Sequence, residues 1–552
     1  MDYEIKGPGG DEAAGGERVF IRKSTGLVRA VGTRDALIYN CMITTIVLGA
    51  ALTFLLAPYA FPHANLWLGT LIAGVFAAVM MVAYAIMSSS MPRSGADYLF
   101  QTRLVHPLLA FGLAVSYFVI WLPFWEALGG WLLAVVGISP FASLLGANEN
   151  IDWLVSFGTW ASTPWGITVI SLAAILISFV ILTYGSRLFM RLQLFLWALL
   201  LISFATTWIL LLTHGHDTFV STFNSYMEGS SGGSNYYQTI ITEAHKEGFG
   251  GSSGFTFLDT LGVAPVVWTA LPWSYWIIAN AGEMRGARKL SNMLGSMLGA
   301  TAINVTLLVI TAILLVNSLG TEFIGSLAYL YYSGSEALGA LPAAPFYGVI
   351  TGLLSSNPIV ITLLGLGFVA TGIQILLGMA WGGSRVILGL AIDRMVPERL
   401  GDVSPKNGAP TKALTLFMLV SVVWVYLYNH TDVGEYTLAV TLTSTLLYSG
   451  SMVAAILFPY RAGELYRTSP AARFRPLGIP VITVVGVIAL AFNLLMAYYY
   501  VTKDALGVNS ASSLRIVGAV IIAFGVYYYA RRWWLRRTGY DPSMAFAVIP
   551  PE

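Results

Sequence analysis

The sequence predicts an all-α, polytopic membrane protein with twelve transmembrane helices, and three observations carry that expectation. Hydrophobic residues make up 57% of the 552 and charged residues 10%, against about 45–50% and about 25% in soluble domains. Mean hydropathy is +0.73. So little charge cannot cover a soluble surface, which excludes an ordinary soluble protein, a disordered chain and a nucleic-acid binder. The apolar residues also gather into runs close to the ~20 that one helix needs to cross a bilayer. Finally, the lysines and arginines fall almost entirely between alternate runs.

The runs lie at 36–57, 66–87, 107–136, 165–183, 192–213, 260–282, 291–317, 358–384, 413–428, 436–459, 477–501 and 516–530. The third holds one acid, Glu126, the only acid expected well inside a span. The ninth and twelfth are short but have apolar or aromatic neighbours. Twelve spans put both termini on one side. On that reading the terminal side carries 26 Lys and Arg, and the other side only Lys246, Lys503 and Arg515. Positive charge marks the cytoplasmic side, so both termini are expected there, in the cell membrane. These basic residues are read as topology, and none is assigned to a substrate. The expected divisions are a tail (1–35), spans one to five (36–213), an outer loop (214–259), spans six to ten (260–459), spans eleven and twelve (460–530) and a second tail (531–552).

The tail is polar and glycine-rich and lacks the apolar core and cleavage site of a secretory signal. It is expected to be disordered to about Arg18. The outer loop holds two Gly/Ser runs, 229–234 and 248–254, and reads as flexible. Short surface helices are expected within 141–160, 322–332 and 336–346. Cys41 is the only cysteine, so no intrachain disulfide or cysteine-based zinc site is possible. All six histidines fall in loops or at span ends, and no phosphate-cradling Gly-x-x-x-x-Gly-Lys-Ser/Thr is present. Enzyme chemistry is not expected, nor a metal or cofactor beyond a coupling H+ or Na+.

Interrupted helices are the informative ones, because backbone groups freed in a bilayer find no water. Span six is interrupted at Ala270, Leu271, Pro272, Trp273 and Ser274, and Pro272 would free the carbonyl at Trp268. Span one holds Thr44, Thr45 and Gly49 near its centre. Broken helices at equivalent positions of two repeats mark the midplane site of many secondary transporters. Glu126 is a candidate for carrying a proton or holding an amine. Gln374 is polar at mid-depth, as an interhelical hydrogen-bond donor or a ligand. Trp125, Trp268, Trp273 and Tyr275 could wall a pocket, or simply pack.

Four segments then resemble the amino acid–polyamine–organocation permeases. Met91-Pro92-Arg93-Ser94-Gly95-Ala96-Asp97-Tyr98 is similar to that family's Pro-Arg-x-Gly-Gly-x-Tyr loop. Tyr184-Gly185-Ser186-Arg187 with Arg191-Leu192-Gln193 resembles its Gly-x-Lys…Arg-x-Gln stretch. Gly282-Glu283-Met284-Arg285-Gly286-Ala287-Arg288-Lys289 resembles Glu-Glu-Val-Lys-Asn-Pro-Arg-Arg. Ser384-Arg385, then Asp393-Arg394-Met395-Val396-Pro397 and Gly408-Ala409-Pro410, resemble Ser-Arg…Arg-Asp-Gly-x-x-Pro…Gly-x-Pro.

The resemblance implies a five-plus-five inverted repeat of the leucine-transporter type, followed by two further helices. It implies a small-molecule substrate, an amino acid or amine, held near Thr44, Thr45, Ile46, Leu271, Pro272 and Trp273, in a protein whose other partner is the bilayer. Two positions depart from the family. Its Gly-x-Gly run in span one falls near Ile46-Val47-Leu48, where only Gly49 is close. Its Phe-Ser-Gly-Phe-Glu falls on Leu271-Pro272-Trp273-Ser274-Tyr275, so Trp replaces the glycine and Tyr the acid. The alternatives are a transporter of the same fold for a nucleobase or organic acid, and a non-transporting sensor or partner subunit.

Overall fold

The computed structural model describes residues 26–231 and 235–547. The start of the tail, with its expected disorder, and residues 232–234 of the first Gly/Ser run lie outside the described residues. Among the described residues the chain is helical, with a single isolated bridge between Val31 and Met284.

Among the described residues, eleven helices are long and apolar enough to cross a membrane. They are Leu66–Ser90, Pro107–Glu149, Pro164–Thr183, Ser186–Thr213, Phe257–Glu283, Leu290–Leu319, Pro358–Ile392, Thr411–His430, Asp432–Arg461, Val481–Thr502 and Ala511–Arg537. These are the expected spans two to twelve. The first expected span is in two pieces, Thr33–Ile43 and Ile46–Ala60, each too short to cross by itself. The observed helices outrun the apolar runs, because hydropathy marks only the part matched to lipid. The third is the extreme case, continuing to Glu149 with π-helical turns at Phe111–Val115, Tyr117–Trp121 and Leu132–Ile138. Pro123 sits where one of these turns gives way to Leu122–Trp131, a place that does not need its missing N–H.

Burial ranks the spans. In the sixth, 94% of the apolar window is buried, against 17% in the twelfth. The sixth span is therefore the axis of the bundle. The first half of span one packs against it and against the seventh, while the seventh also packs on the second, and the eighth on the fifth.

The loop after span five is not the flexible segment expected. It forms two helices, His216–Ser231 and Tyr236–Lys246. Phe219 and Phe223 sit one turn apart on the first, and both pack edge-on against Phe323 of the helix Thr321–Ser333. Tyr237 stacks on Phe323 at 4.5 Å and donates its hydroxyl to the Leu319 carbonyl at 2.8 Å. This aromatic spacing outweighs the Gly/Ser content. The expected surface helices are present at Ser139–Glu149 (the end of span three), Asp152–Ala161 and Thr321–Ser333, but only Glu336–Leu338 is helical in the last stretch.

On the basic face, two ion pairs are buried. Arg385 Nε lies 2.6 Å from Glu283 Oε1, with side chains 1% and 2% exposed. Ser186 donates its hydroxyl to the other Glu283 oxygen, and Trp381 Nε1 donates to Ser186 at 3.3 Å. Arg103 pairs with Asp393 at 2.7 Å, and Tyr98 donates to the same carboxylate at 2.8 Å. Glu283 ends the sixth helix, so Glu126 is not the only acid buried in a span. The segment before span one is zipped to this end by Val31 N–H to Glu283 O (3.0 Å) and Arg285 N–H to Val31 O (2.8 Å).

Breaking a buried pair from one side leaves an uncompensated charge and costs about 3–5 kcal/mol. Glu283→Gln should therefore lower the thermal unfolding midpoint in detergent clearly, and Glu283→Gln with Arg385→Met should recover much of the loss. Additive losses in the double variant would show that the pair does not act as a unit.

Candidate functional site

The break in span one is built from two threonines. Thr44 remains right-handed at the end of Thr33–Ile43, but Thr45 adopts φ 47°, ψ 53°. A β-branched residue in this left-handed region costs roughly 1–3 kcal/mol unless the surroundings impose it. They do so through span seven. Asn304 Nδ2 donates to Thr44 Oγ1 at 2.8 Å and to the Cys41 carbonyl at 3.3 Å. Thr44 also donates its hydroxyl to Cys41 O at 2.6 Å. Beyond the break, the first turn of Ile46–Ala60 has N–H groups with no partner inside the helix, an end suited to a carboxylate.

Span six opens at the same level. Its α-helix ends at Val267, a turn covers Trp268, Thr269 and Ala270, and a 3-10 helix runs from Leu271 to Glu283. The interruption thus comes before Pro272. This residue sits in the first turn of the new helix, where its missing N–H costs little. A 3-10 helix rises about 2.0 Å per residue against 1.5 Å in an α-helix, and runs beyond three or four residues are uncommon. Kinked at Asn280 (φ −116°, ψ 20°), these thirteen residues make a thin, extended strut through the core. Asn40 ties the strut to span one, accepting from Ile277 N–H at 3.0 Å. The two breaks touch: a Cβ added at Gly49 would lie 3.0 Å from the Ala270 methyl.

Around the breaks stands an aromatic box. Trp125 Nε1 donates to the Tyr117 hydroxyl at 2.6 Å. The Trp273 ring lies edge-on to Trp125 at 5.9 Å, 6.2 Å from Tyr117 and 5.5 Å from Trp276. Glu126 follows Trp125, and both of its carboxylate oxygens are buried with no hydrogen-bond partner among the described residues. The Ser274 hydroxyl is likewise buried and unpartnered. Thr44, Thr45, Ile46, Trp125, Glu126, Leu271, Trp273, Ser274 and Tyr275 are all 2% exposed or less, so the site is closed to solvent on both sides.

With this geometry in place, the chain can be compared with known proteins. The amino acid permease family profile matches residues 36–524. The chain belongs to the amino acid permease family. No curated protein matches it.

In this permease, two expected candidates stand apart from the box. Trp268 packs on Phe492 of span eleven at 5.0 Å, and Phe492 stacks on Phe76 of span two. Gln374 donates to Gln193 Oε1 of span five at 3.1 Å, while Gln193 donates to the Asp35 carbonyl at 3.1 Å. This bond ties span eight to span five, while Gln374 Oε1 is buried with no hydrogen-bond partner among the described residues.

Tyr275, at the position of the family's acid, leads to a group that the sequence reading missed. Its hydroxyl donates to Asp97 Oδ2 at 2.9 Å. Tyr84 of span two and Ser451 of span ten donate to Asp97 Oδ1 at 2.5 and 2.6 Å. Asp97 is fully buried. It lies on Ala96–Leu104, a short helix after span two that its polar lead-in, Arg93-Ser94-Gly95, disguises as loop. The legible signal was the spacing of Asp97 and Gln101, one turn apart. Gln101 Nε2 donates to the same Ser451 oxygen at 3.0 Å.

The break in span one gives a paired test. Thr45→Gly removes the left-handed strain and should raise the thermal midpoint, by about 1 kcal/mol of stability. Asn304→Ala removes the donor that spans Thr44 and the Cys41 carbonyl and should lower it by about 1 kcal/mol. A drop with Thr45→Gly would show that the threonine side chain, not its backbone, sets the break.

Proposed function

We propose that this permease is a secondary active transporter that moves amino acids or related amines across the plasma membrane by alternating access, with both termini in the cytoplasm. The observation that carries this reading is the pair of facing breaks at Thr44–Thr45 and Trp268–Ala270, closed from solvent. Helix ends exposed at that depth offer donors to a carboxylate and acceptors to an ammonium without any charged side chain. The substrate sits between spans one, three, six and eight. Gly49 and Ala270 set how near the two backbones come, and Trp273 fills the volume a glycine would leave open, which favours a small or flat substrate. Glu126, with no side-chain partner among the described residues, receives either the substrate amine or a coupling proton. The coupling ion is H+ or Na+. The 26-to-3 split of basic residues supports the orientation.

A second reading has its own observation. The box of Tyr117, Trp125, Trp273 and Trp276 suits a flat ring, so a nucleobase or aromatic organic acid would fit the same place.

Purified protein in liposomes should take up or exchange a labelled amino acid or polyamine. Competition by unlabelled nucleobases and organic acids separates the two readings. No uptake or exchange of any labelled amino acid or polyamine would overturn the amine reading. Glu126→Gln should abolish proton-driven accumulation and spare exchange. A pH dependence unchanged in that variant would remove Glu126 from the coupling step.

A further inference from the structure

The molecule holds another buried carboxyl without a cation, whose environment is the opposite of that of Glu126. Asp97 is satisfied on both oxygens, by hydroxyls from three different spans: Tyr84 of span two, Tyr275 of span six and Ser451 of span ten. Tyr275 lies on the strut Leu271–Glu283, five residues beyond the turn at Ala270. Any displacement of the strut from spans two and ten must therefore break the Tyr275–Asp97 hydrogen bond and admit water to the carboxyl. The cage is also tight enough to exclude other charge. Tyr448 of span ten, edge-on to Tyr275 at 5.5 Å, and Tyr117 of span three are the other titratable side chains near it. Gln101 faces it from its own helix. Arg103, on the same helix, is committed to Asp393 at the end of span eight.

We propose that the Asp97 carboxyl is a proton-binding site of the transport cycle, held closed by Tyr84, Tyr275 and Ser451 and emptied to the cytoplasm when the strut moves away. This rests on the transport reading above and adds a proton site to it, separate from Glu126. The cage accommodates both forms of the acid. Ionised, Asp97 accepts three O–H donors. Protonated, it keeps them by turning one hydroxyl from donor to acceptor, since a hydroxyl has both functions. The proton goes to Oδ1 or Oδ2 from water and returns to water, so no other reactant is needed.

The sign follows from burial. Burial pushes the Asp97 carboxyl up from its ordinary 3.8 to about 6, although the hydrogen bonds from Ser451, Tyr84 and Tyr275 pull it down. With the strut displaced and water admitted, it returns to about 3.9. The state with the higher value gains from protonation, so acid stabilises the closed cage and opening releases the proton. Between pH 7 and pH 5 the closed-to-open ratio should rise about tenfold.

Hydrogen exchange of the full-length protein in lipid nanodiscs reads this ratio directly. Peptides covering Leu271–Glu283, corrected for intrinsic exchange rates, should show about tenfold more protection at pH 5 than at pH 7. Asp97→Asn should hold protection near its acidic level at both pH values. A purely structural loss would lower it instead. Tyr275→Phe removes one donor to the carboxylate, so its pH dependence should persist with the midpoint moved to higher pH. This variant keeps the test decisive if Asp97→Asn fails to fold. A flat profile in the unmodified protein, a pH dependence retained in Asp97→Asn, or an unmoved midpoint in Tyr275→Phe would each overturn the proposal. A failed liposome screen with the exchange pattern intact would overturn the transport reading and leave the proton site standing.

Discussion

A peptide group taken out of water and given no partner costs several kcal/mol, and in a bilayer core no water is at hand to supply one. This chain opens two helices under that constraint, at Thr44–Thr45 and at Trp268–Ala270. Much of the rest of the structure can be read as the means of holding those openings. Asn304 reaches from span seven to cap the first, and Asn40 of span one accepts from the strut beyond the second. The other helices wrap these two, which is why span six is the most buried of the spans. A break maintained by side chains from other helices is an arrangement kept for use, since an unbroken helix would satisfy its backbone with no help.

The same economy governs charge. A buried charge is tolerated only with a partner or enough hydrogen bonds. Glu283 has Arg385 and Ser186, and Asp393 has Arg103 and Tyr98. Asp97 has three hydroxyls and no cation. Glu126 has neither. The four acids thus divide into two that are ion-paired and two that have no cation. The ion pairs lie on the basic face, where the segment before span one is also fastened to the end of span six. These contacts join spans five, six and eight on that face, while the helices after span five pack their aromatic rings around Phe323.

The fold class was legible because hydropathy reports the bilayer directly, and the four permease-like segments fixed the family that the profile across 36–524 then showed. The paired breaks were legible as places but not as shapes. Pro272 drew attention to the right stretch of span six, yet the opening comes earlier, and a thirteen-residue 3-10 strut has no signature in residue pattern. Asp97 was missed for a related reason. Its helix is short, follows a polar turn with Gly95 at φ 126°, and is buried by tertiary contact alone. The helices of the outer loop were hidden by composition, since the glycines flanking them suggested flexibility while the aromatic spacing set the structure. Trp268 packs on Phe492 and Gln374 bonds to Gln193, yet Trp268 Nε1 and Gln374 Oε1 are buried with no hydrogen-bond partner among the described residues.

The central claim is that the two facing breaks form the substrate site. A density map of the permease with a transported solute bound tests it most directly. The account predicts ligand density between Thr44–Ile46 and Trp268–Leu271, against the Trp273 ring, with polar groups on the opened backbone. Density confined instead to the outer cavity of about 260 Å³ lined by Phe61, His63, Ser252 and Phe255, with the breaks empty, would contradict it.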